Sequence, residues 1–181
     1  NGMDVIQTVR GYNEGDLGNR YRIIWSGAEY RGRGRNTSWT GEATFKNTKI
    51  ERMEKINAWN HEKLLAVEND NCVHFDAITT GNYGGFDVWL RSSDGAELSI
   101  ETNHGTLDVK LPKLGIEDVV LDCGGLERKL KVIRLPEHNP HLELSRDVEI
   151  NLNASKDNPL WVCVTTEDGF QAWSSPIFIF N

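Results

Sequence analysis

The chain lacks the features that mark several classes of protein. It has no apolar run near the roughly 18 residues of a transmembrane helix. Its start, Asn1-Gly2-Met3-Asp4, has neither the basic region nor the apolar core of a signal peptide. The formal net charge of −7 is opposite in sign to the basic surface that binds nucleic acids or anionic membranes. We therefore expect neither nucleic acid nor a membrane as a partner.

Cysteine is scarce, and familiar motifs for catalysis and metal binding are absent. The three cysteines, Cys72, Cys123 and Cys163, are widely spaced and form no C-x-x-C pair, which excludes a zinc ribbon. Their apolar neighbours predict buried, small apolar side chains, and the odd number favours a reducing, cytoplasmic compartment. The sequence has no H-x-H, H-E-x-x-H, G-x-S-x-G, Walker or dinucleotide motif. It predicts no catalytic residue, no metal ligand and no cofactor.

What the sequence does contain is a series of short segments in which apolar residues alternate with polar ones. This period of two is typical of half-buried strands. The predicted strands cover residues 21–25, 86–90, 97–100, 106–111, 119–123, 128–135, 148–152, 160–165 and 177–180. Turn pairs such as Asp94-Gly95 and Asp168-Gly169 separate several of them. Helix formers are concentrated only in residues 60–67, where we expect one turn at most.

These patterns predict an all-β fold, an antiparallel β-sandwich of jelly-roll or immunoglobulin-like type with at most one or two short helical turns. Composition does not change along the chain, so we expect a single domain over residues 1–181. The absence of an initial methionine fits a C-terminal fragment of a longer chain, although a processed N-terminus would look the same. Residues 160–165 are apolar on both faces, which predicts a central strand that is covered on both sides.

Three arginines, Arg31, Arg33 and Arg35, alternate with glycine after the first predicted strand. In an extended segment their side chains share one face, and guanidinium groups bind phosphate or carboxylate by paired hydrogen bonds. The arginines are therefore candidate ligands for a small anion. The alternative is that they form ion pairs with some of the 27 acidic residues, on this domain or on a neighbouring one.

Six tryptophans are many for a chain of this length, and exposed rings on a β-sandwich can stack on sugars. Trp25, Trp89 and Trp161 lie within strand patterns and are predicted to be in the core. The remaining three lie near polar or turn residues and could be exposed. Candidate contacts for a carbohydrate are Trp39, Trp59 and Tyr83, together with the arginine segment. Packing in the core or anchoring of a loop is the alternative for each.

The five histidines are scattered. His138 and His141 bracket Asn139-Pro140 at a spacing that could serve a metal, but they lack obvious partners. His74-Phe75-Asp76 places a histidine and a carboxylate on one face of a strand. No further ligand accompanies them in a recognised spacing. We expect surface histidines rather than a metal site.

The C-terminal run from Asp157 to Phe180, with its Trp-Val-Cys-Val-Thr, Glu-Asp-Gly and Ala-Trp-Ser-Ser-Pro-Ile segments, resembles the tail of proteins that begin with a PHP-type (polymerase and histidinol phosphatase) metal-dependent phosphoesterase-like domain. Residues 25–35, 78–86 and 124–128 are also similar to such tails. In that family the metal ligands belong to the upstream domain. The resemblance implies a structural role for the tail, in which Asp168-Gly169 forms a hairpin turn and Trp173 plugs the sandwich.

Three hypotheses follow. The first is a non-catalytic accessory domain that packs on an upstream catalytic domain of the same polypeptide, and it predicts an unusually apolar surface. The second is a carbohydrate- or small-anion-binding module. The third is a self-contained hydrolase, which needs a cluster of carboxylates or histidines brought together from distant segments. The sequence favours the first and leaves self-association open.

Overall fold

The computed structural model describes residues 7–32, 36–56, 64–138, 141–153, 157–166 and 170–179. Its chain falls into two compact units. One unit is Tyr12–Pro140, and the other combines Asn1–Gly11 with His141–Asn181. Within the described residues the only helical segments are two short 3-10 turns, Glu14–Asp16 and Leu111–Lys113, and no helix is long and apolar enough to cross a bilayer.

Two five-stranded antiparallel sheets form the larger unit, which confirms the predicted all-β sandwich. The first sheet has the order β3-β6-β1-β10-β9 and the second the order β4-β5-β2-β7-β8. The strands are β1 (Arg20–Ala28), β2 (Thr37–Lys46), β3 (Ile50–Ile56), β4 (Leu65–Glu68), β5 (Cys72–Thr79), β6 (Tyr83–Leu90), β7 (Glu97–Thr102), β8 (Gly105–Lys110), β9 (Val119–Asp122) and β10 (Leu126–Leu135).

Aromatic side chains from the two sheets meet in the core of the sandwich. The Trp25 ring, from the first sheet, stacks on Phe75 of the second, with 4.5 Å between ring centroids and 9° between planes. Phe86 of the first sheet lies against both rings. Such pairs contribute roughly 0.5–1.5 kcal/mol beyond the burial of their area. The contact therefore joins the two layers as well as filling the space between them.

A β-bulge near the end of β1 depends on a glycine. The pairing of β1 with β10 shifts register between Ser26 and Ala28, and Gly27 between them has φ of +95°. A Cβ atom at Gly27 would lie 2.4 Å from the carbonyl oxygen of Glu127. Only glycine fits here, because a side chain would meet both an unfavourable backbone conformation and a steric clash.

The smaller unit contains two short antiparallel ladders. In one, β11 (Asn158–Leu160) pairs with β14 (Ile177–Ile179), and in the other, β12 (Cys163–Thr165) pairs with β13 (Gln171–Trp173). Every residue of β12 and β13 is exposed. The prediction of one central strand over residues 160–165, covered on both faces, is therefore wrong in two respects: the segment is divided between two strands, and its apolar side chains are uncovered.

The structure also corrects the predicted secondary structure of several short segments. Residues 148–152 form no strand, although their apolar alternation suggested one. Of the predicted helical turn, residues 60–63 lie outside the described residues, whereas Leu65–Glu68 form edge strand β4, because pairing with β5 outweighs a weak helix propensity. Strands β2 and β3 were not predicted. Glycine and alanine dilute the apolar pattern of β2, and β3 is an edge strand with mostly exposed side chains.

One carboxylate is enclosed by two arginines on the first sheet. Asp87 is 2% exposed, and Arg20 and Arg22 are also buried. The Arg22 Nε atom donates to Oδ1 of Asp87 at 2.8 Å, and Nη2 donates to Oδ2 at 2.9 Å. The Nε atom of Arg20 donates to Oδ2 at 3.0 Å. Charges this far from water are tolerated only when paired, so the three side chains act as a unit.

We predict that Asp87→Ala lowers the free energy of unfolding by about 3–5 kcal/mol, because it removes the buried carboxylate that accepts hydrogen bonds from two buried guanidinium groups. Chemical denaturation followed by tryptophan fluorescence measures this. The control is Glu51→Ala, which removes the partner of Arg91 in an exposed ion pair and should cost less than about 1 kcal/mol. Equal losses in the two variants would contradict the structural role of Asp87.

Candidate functional site

Four side chains that can bind metals project from the outer face of the second sheet, on three adjacent strands. Glu42 of β2 lies directly opposite His74 of β5. Glu68 of β4 lies directly opposite Cys72 of β5. Their neighbours Val73 and Phe75 point into the core, so the period of two places Cys72 and His74 together on the other face.

The distances between these groups are short. One ligand atom each from Glu42, Cys72 and His74 lie within 4.8 Å of one another. The His74 Nδ1 atom is 3.6 Å from a carboxylate oxygen of Glu42, and its Nε2 atom is 2.7 Å from a carboxylate oxygen of Glu68. The Cys72 Sγ atom is 3.7 Å from His74 Nε2. The imidazole ring therefore lies between two carboxylates and beside a thiol.

The environment of Cys72 raises the pKa of its thiol. Burial raises the pKa of Cys72; the carboxylates of Glu42 and Glu68 raise it further, and a hydrogen bond from Thr44 opposes them. The Thr44 hydroxyl lies 3.6 Å from the sulfur. Negative charge near a thiol disfavours the thiolate, and positive charge would favour it.

Sequence reasoning identified only part of this cluster. It paired His74 with Asp76, whereas Asp76 lies opposite Thr40, two residues along the ladder from the pair of His74 and Glu42. The pattern Cys72-Val-His74 was the available indication, since residues two apart on a strand share a face. Glu42 and Glu68 could not be found in this way, because their positions depend on which strands are neighbours and in what register.

Of the predicted ligand contacts, the structure describes Arg31, Trp39 and Tyr83. Arg31 is exposed in the bend after β1, and Tyr83 is half-buried at the start of β6. Arg33, Arg35 and Trp59 lie outside the described residues. The ligand-binding hypothesis thus keeps Arg31 and Tyr83 as its described candidates.

Trp39 lies in the core, which corrects the expectation that its ring could be exposed. The side chain is 0% exposed, its indole Nε1 donates to the Thr79 hydroxyl at 2.9 Å, and its ring meets His104 edge-on. The inward-facing positions of β2 place it there. A ring enclosed in this way has no face to offer to a sugar.

The remaining tryptophans and the cysteines include both confirmed and corrected predictions, and Trp173, which was expected to plug the sandwich, is 55% exposed. Trp25 is buried as predicted, whereas Trp161 is 40% exposed. Trp89 is half-buried between the guanidinium groups of Arg20 and Arg52, at 4.7 and 4.3 Å from its ring centroid. Cys163 is exposed rather than buried, because β12 is uncovered.

We predict that the cysteines of the metal-free, folded protein react with iodoacetamide at very different rates at pH 8. Cys163 is exposed, so its modification should be fastest. Burial raises the pKa of both Cys72 and Cys123, which lowers their reactive thiolate fraction. Labelling of Cys72 should therefore still increase with pH above about 8.5, where an unperturbed thiol is half ionised.

Mass spectrometry of the peptides measures each rate. Labelling of an unfolded sample provides the control, since all three thiols should then react alike. Modification of Cys72 as fast as that of Cys163 in the folded protein would contradict the placement of Cys72.

Comparison of the chain with protein-family models, with curated proteins and with solved structures finds no match. The resemblance of residues 157–180 to the tails of PHP-type proteins therefore stays a prediction. Two features of the described residues bear on function: the cluster of Glu42, Glu68, Cys72 and His74, and the uncovered apolar side chains of the smaller unit.

Proposed function

We propose that this chain is a non-catalytic accessory domain that packs on an upstream, metal-dependent phosphoesterase-like domain of the same polypeptide. The observation that carries the proposal is the apolar surface formed by the described residues of 160–179 in the smaller unit, which we call the C-terminal apolar segment. Its large side chains, each at least 40% exposed, are Trp161, Val162, Val164, Phe170, Trp173, Ile177 and Phe178.

This segment has the composition of a buried structure. Trp173 lies opposite Cys163, and Val164 lies opposite Ala172 on the other face of the same ladder, so apolar groups are uncovered on both faces. A two-stranded ladder is marginally stable in water on its own. Contiguous apolar surface of this kind is typical of an interaction site.

Two features of the sequence support an upstream domain of the same polypeptide as the partner. Residues 160–165 have the pattern of a strand covered on both faces, and residues 157–180 resemble tails that accompany a PHP-type domain. A domain of the same polypeptide is also held at high effective concentration by its linkage, which adds to the affinity of the apolar contact itself. The sequence predicts no catalytic residue of its own, which fits a supporting role.

We predict that the chain, produced separately, co-elutes with a separately produced upstream domain in size-exclusion chromatography. Phe170→Glu and Trp173→Glu should each abolish co-elution, because they place a charge in the apolar contact. Tyr30→Glu is the matched control: Tyr30 is 52% exposed but belongs to the sandwich, so the variant should still bind.

Two outcomes would contradict the proposal. Co-elution that survives both substitutions would mean that the C-terminal apolar segment is not the contact. Hydrolysis of phosphoesters by the isolated chain with added Mn²⁺ would show that it is an enzyme and not an accessory domain.

A further inference from the structure

We propose that Glu42, Cys72 and His74 bind a zinc ion on the outer face of the second sheet, and that Glu68 orients the histidine ring. This goes beyond the accessory function, because a zinc site in the sandwich neither requires an upstream domain nor is required by one. We call these four residues the Glu-Cys-His cluster.

The distances within the cluster distinguish ligands from an orienting group. Zinc bonds of about 2.0–2.3 Å in tetrahedral geometry place neighbouring ligand atoms roughly 3.3–3.8 Å apart. The 3.6 Å between His74 Nδ1 and Glu42 matches that separation and is too long for a hydrogen bond. The 2.7 Å between His74 Nε2 and Glu68 is instead a hydrogen-bond distance.

Zinc binding at Nδ1 requires one tautomer of the ring, because a carboxylate only accepts a hydrogen bond and Nε2 must therefore donate to Glu68. With the proton on Nε2 donated to Glu68, the lone pair of Nδ1 faces the side on which Glu42 lies. A carboxylate that accepts from the second ring nitrogen is the usual partner of a metal-bound histidine, because it fixes the ring and raises its basicity. Glu68 is therefore a positioning residue.

The third ligand, the sulfur of Cys72, indicates which metal the cluster binds. A cysteine sulfur with an imidazole favours zinc over magnesium or calcium, which prefer oxygen ligands. Binding requires the thiolate, so zinc displaces the thiol proton to solvent. The positive ion also reverses the effect of the surrounding carboxylates, which disfavour the thiolate without it but neutralise the ion when it is bound.

Backbone pairing already holds the ligands close together. Glu42 and His74 are direct partners in the β2–β5 ladder, and Cys72 and His74 are two residues apart on one strand. One ligand atom each from Glu42, Cys72 and His74 lie within 4.8 Å of one another. Because the Cys72 Sγ atom lies 3.7 Å from Nε2, the nitrogen assigned to Glu68, binding of zinc at Nδ1 requires the cysteine side chain to rotate. Zinc would then link β2 to β5, and through Glu68 it would hold edge strand β4.

The test uses the full 181-residue chain, stripped of metal with a chelator and titrated with ZnCl₂ and with CoCl₂. We expect one ion per chain and, with cobalt, a thiolate-to-metal charge-transfer band in the near ultraviolet. Zinc at about 100 times its dissociation constant should raise Tm by roughly 5–10 °C. Calcium or magnesium at the same concentration should leave Tm unchanged.

Variants assign the ligands. Cys72→Ser should abolish the charge-transfer band, and His74→Gln should lower zinc affinity by more than the roughly 10–100-fold typical of an orienting partner. The matched controls are Cys163→Ser and His138→Gln, at exposed positions outside the cluster, and both should bind zinc normally. Circular dichroism checks that each variant is folded.

The role of Glu68 has its own readout. Glu68→Ala should keep one ion per chain and the charge-transfer band but weaken zinc affinity by roughly 10–100-fold. Glu68→Gln keeps an oxygen that accepts from Nε2 and should recover most of that affinity. Loss of the band in Glu68→Ala would make Glu68 a ligand and overturn its role as a positioning residue.

The whole proposal fails if the wild-type chain binds no zinc. It also fails if the band persists in Cys72→Ser or disappears in Cys163→Ser, since the ion would then lie elsewhere. None of these results depends on an upstream domain, so they are independent of the accessory function.

Discussion

The stacking of Trp25 on Phe75 across the sandwich is the contact on which the rest of the structure depends. It joins β1 of the first sheet to β5 of the second at 4.5 Å, and it fixes which face of β5 is buried. Because side chains alternate along a strand, a slip of one residue would exchange the two faces. Because the side chain of Phe75 lies in the core, the side chains of Cys72 and His74 must lie on the outer face of the sheet.

Both polar clusters follow from this constraint. On the second sheet the same alternation brings Glu42 and Glu68 beside the outward residues of β5. On the first sheet it places Arg22 of β1 directly opposite Asp87 of β6. The two clusters differ in how far their side chains are buried, and this difference indicates different roles. The enclosed Asp87 stabilises the fold, whereas the partly exposed ligands of β5 remain open to an ion.

The sequence was sufficient for the class of fold and insufficient for the arrangement of the site. Alternating apolar residues in strands such as β1 and β6 predict a sandwich, because burial of one face is a local property of each strand. The side chains of edge strand β4 are mostly exposed, so its sequence carries no alternation of apolar and polar residues. Its leucine and alanine therefore suggest a helix instead. The meeting of Glu42 with His74 depends on register between distant strands, which no local pattern encodes. Trp39 illustrates the same difficulty, since its polar neighbours on β2 indicated exposure while its own position faces the core.

The central claim is that a stable sandwich carries a C-terminal apolar segment that lacks its cover. Hydrogen exchange of the isolated chain tests it most directly, because exchange measures the free energy of opening for each amide. We predict slow exchange in β1 and β2, fast exchange in β12 and β13, and slowing of β12 and β13 only when the upstream domain is added. Equal protection of all four strands in the isolated chain would contradict the account.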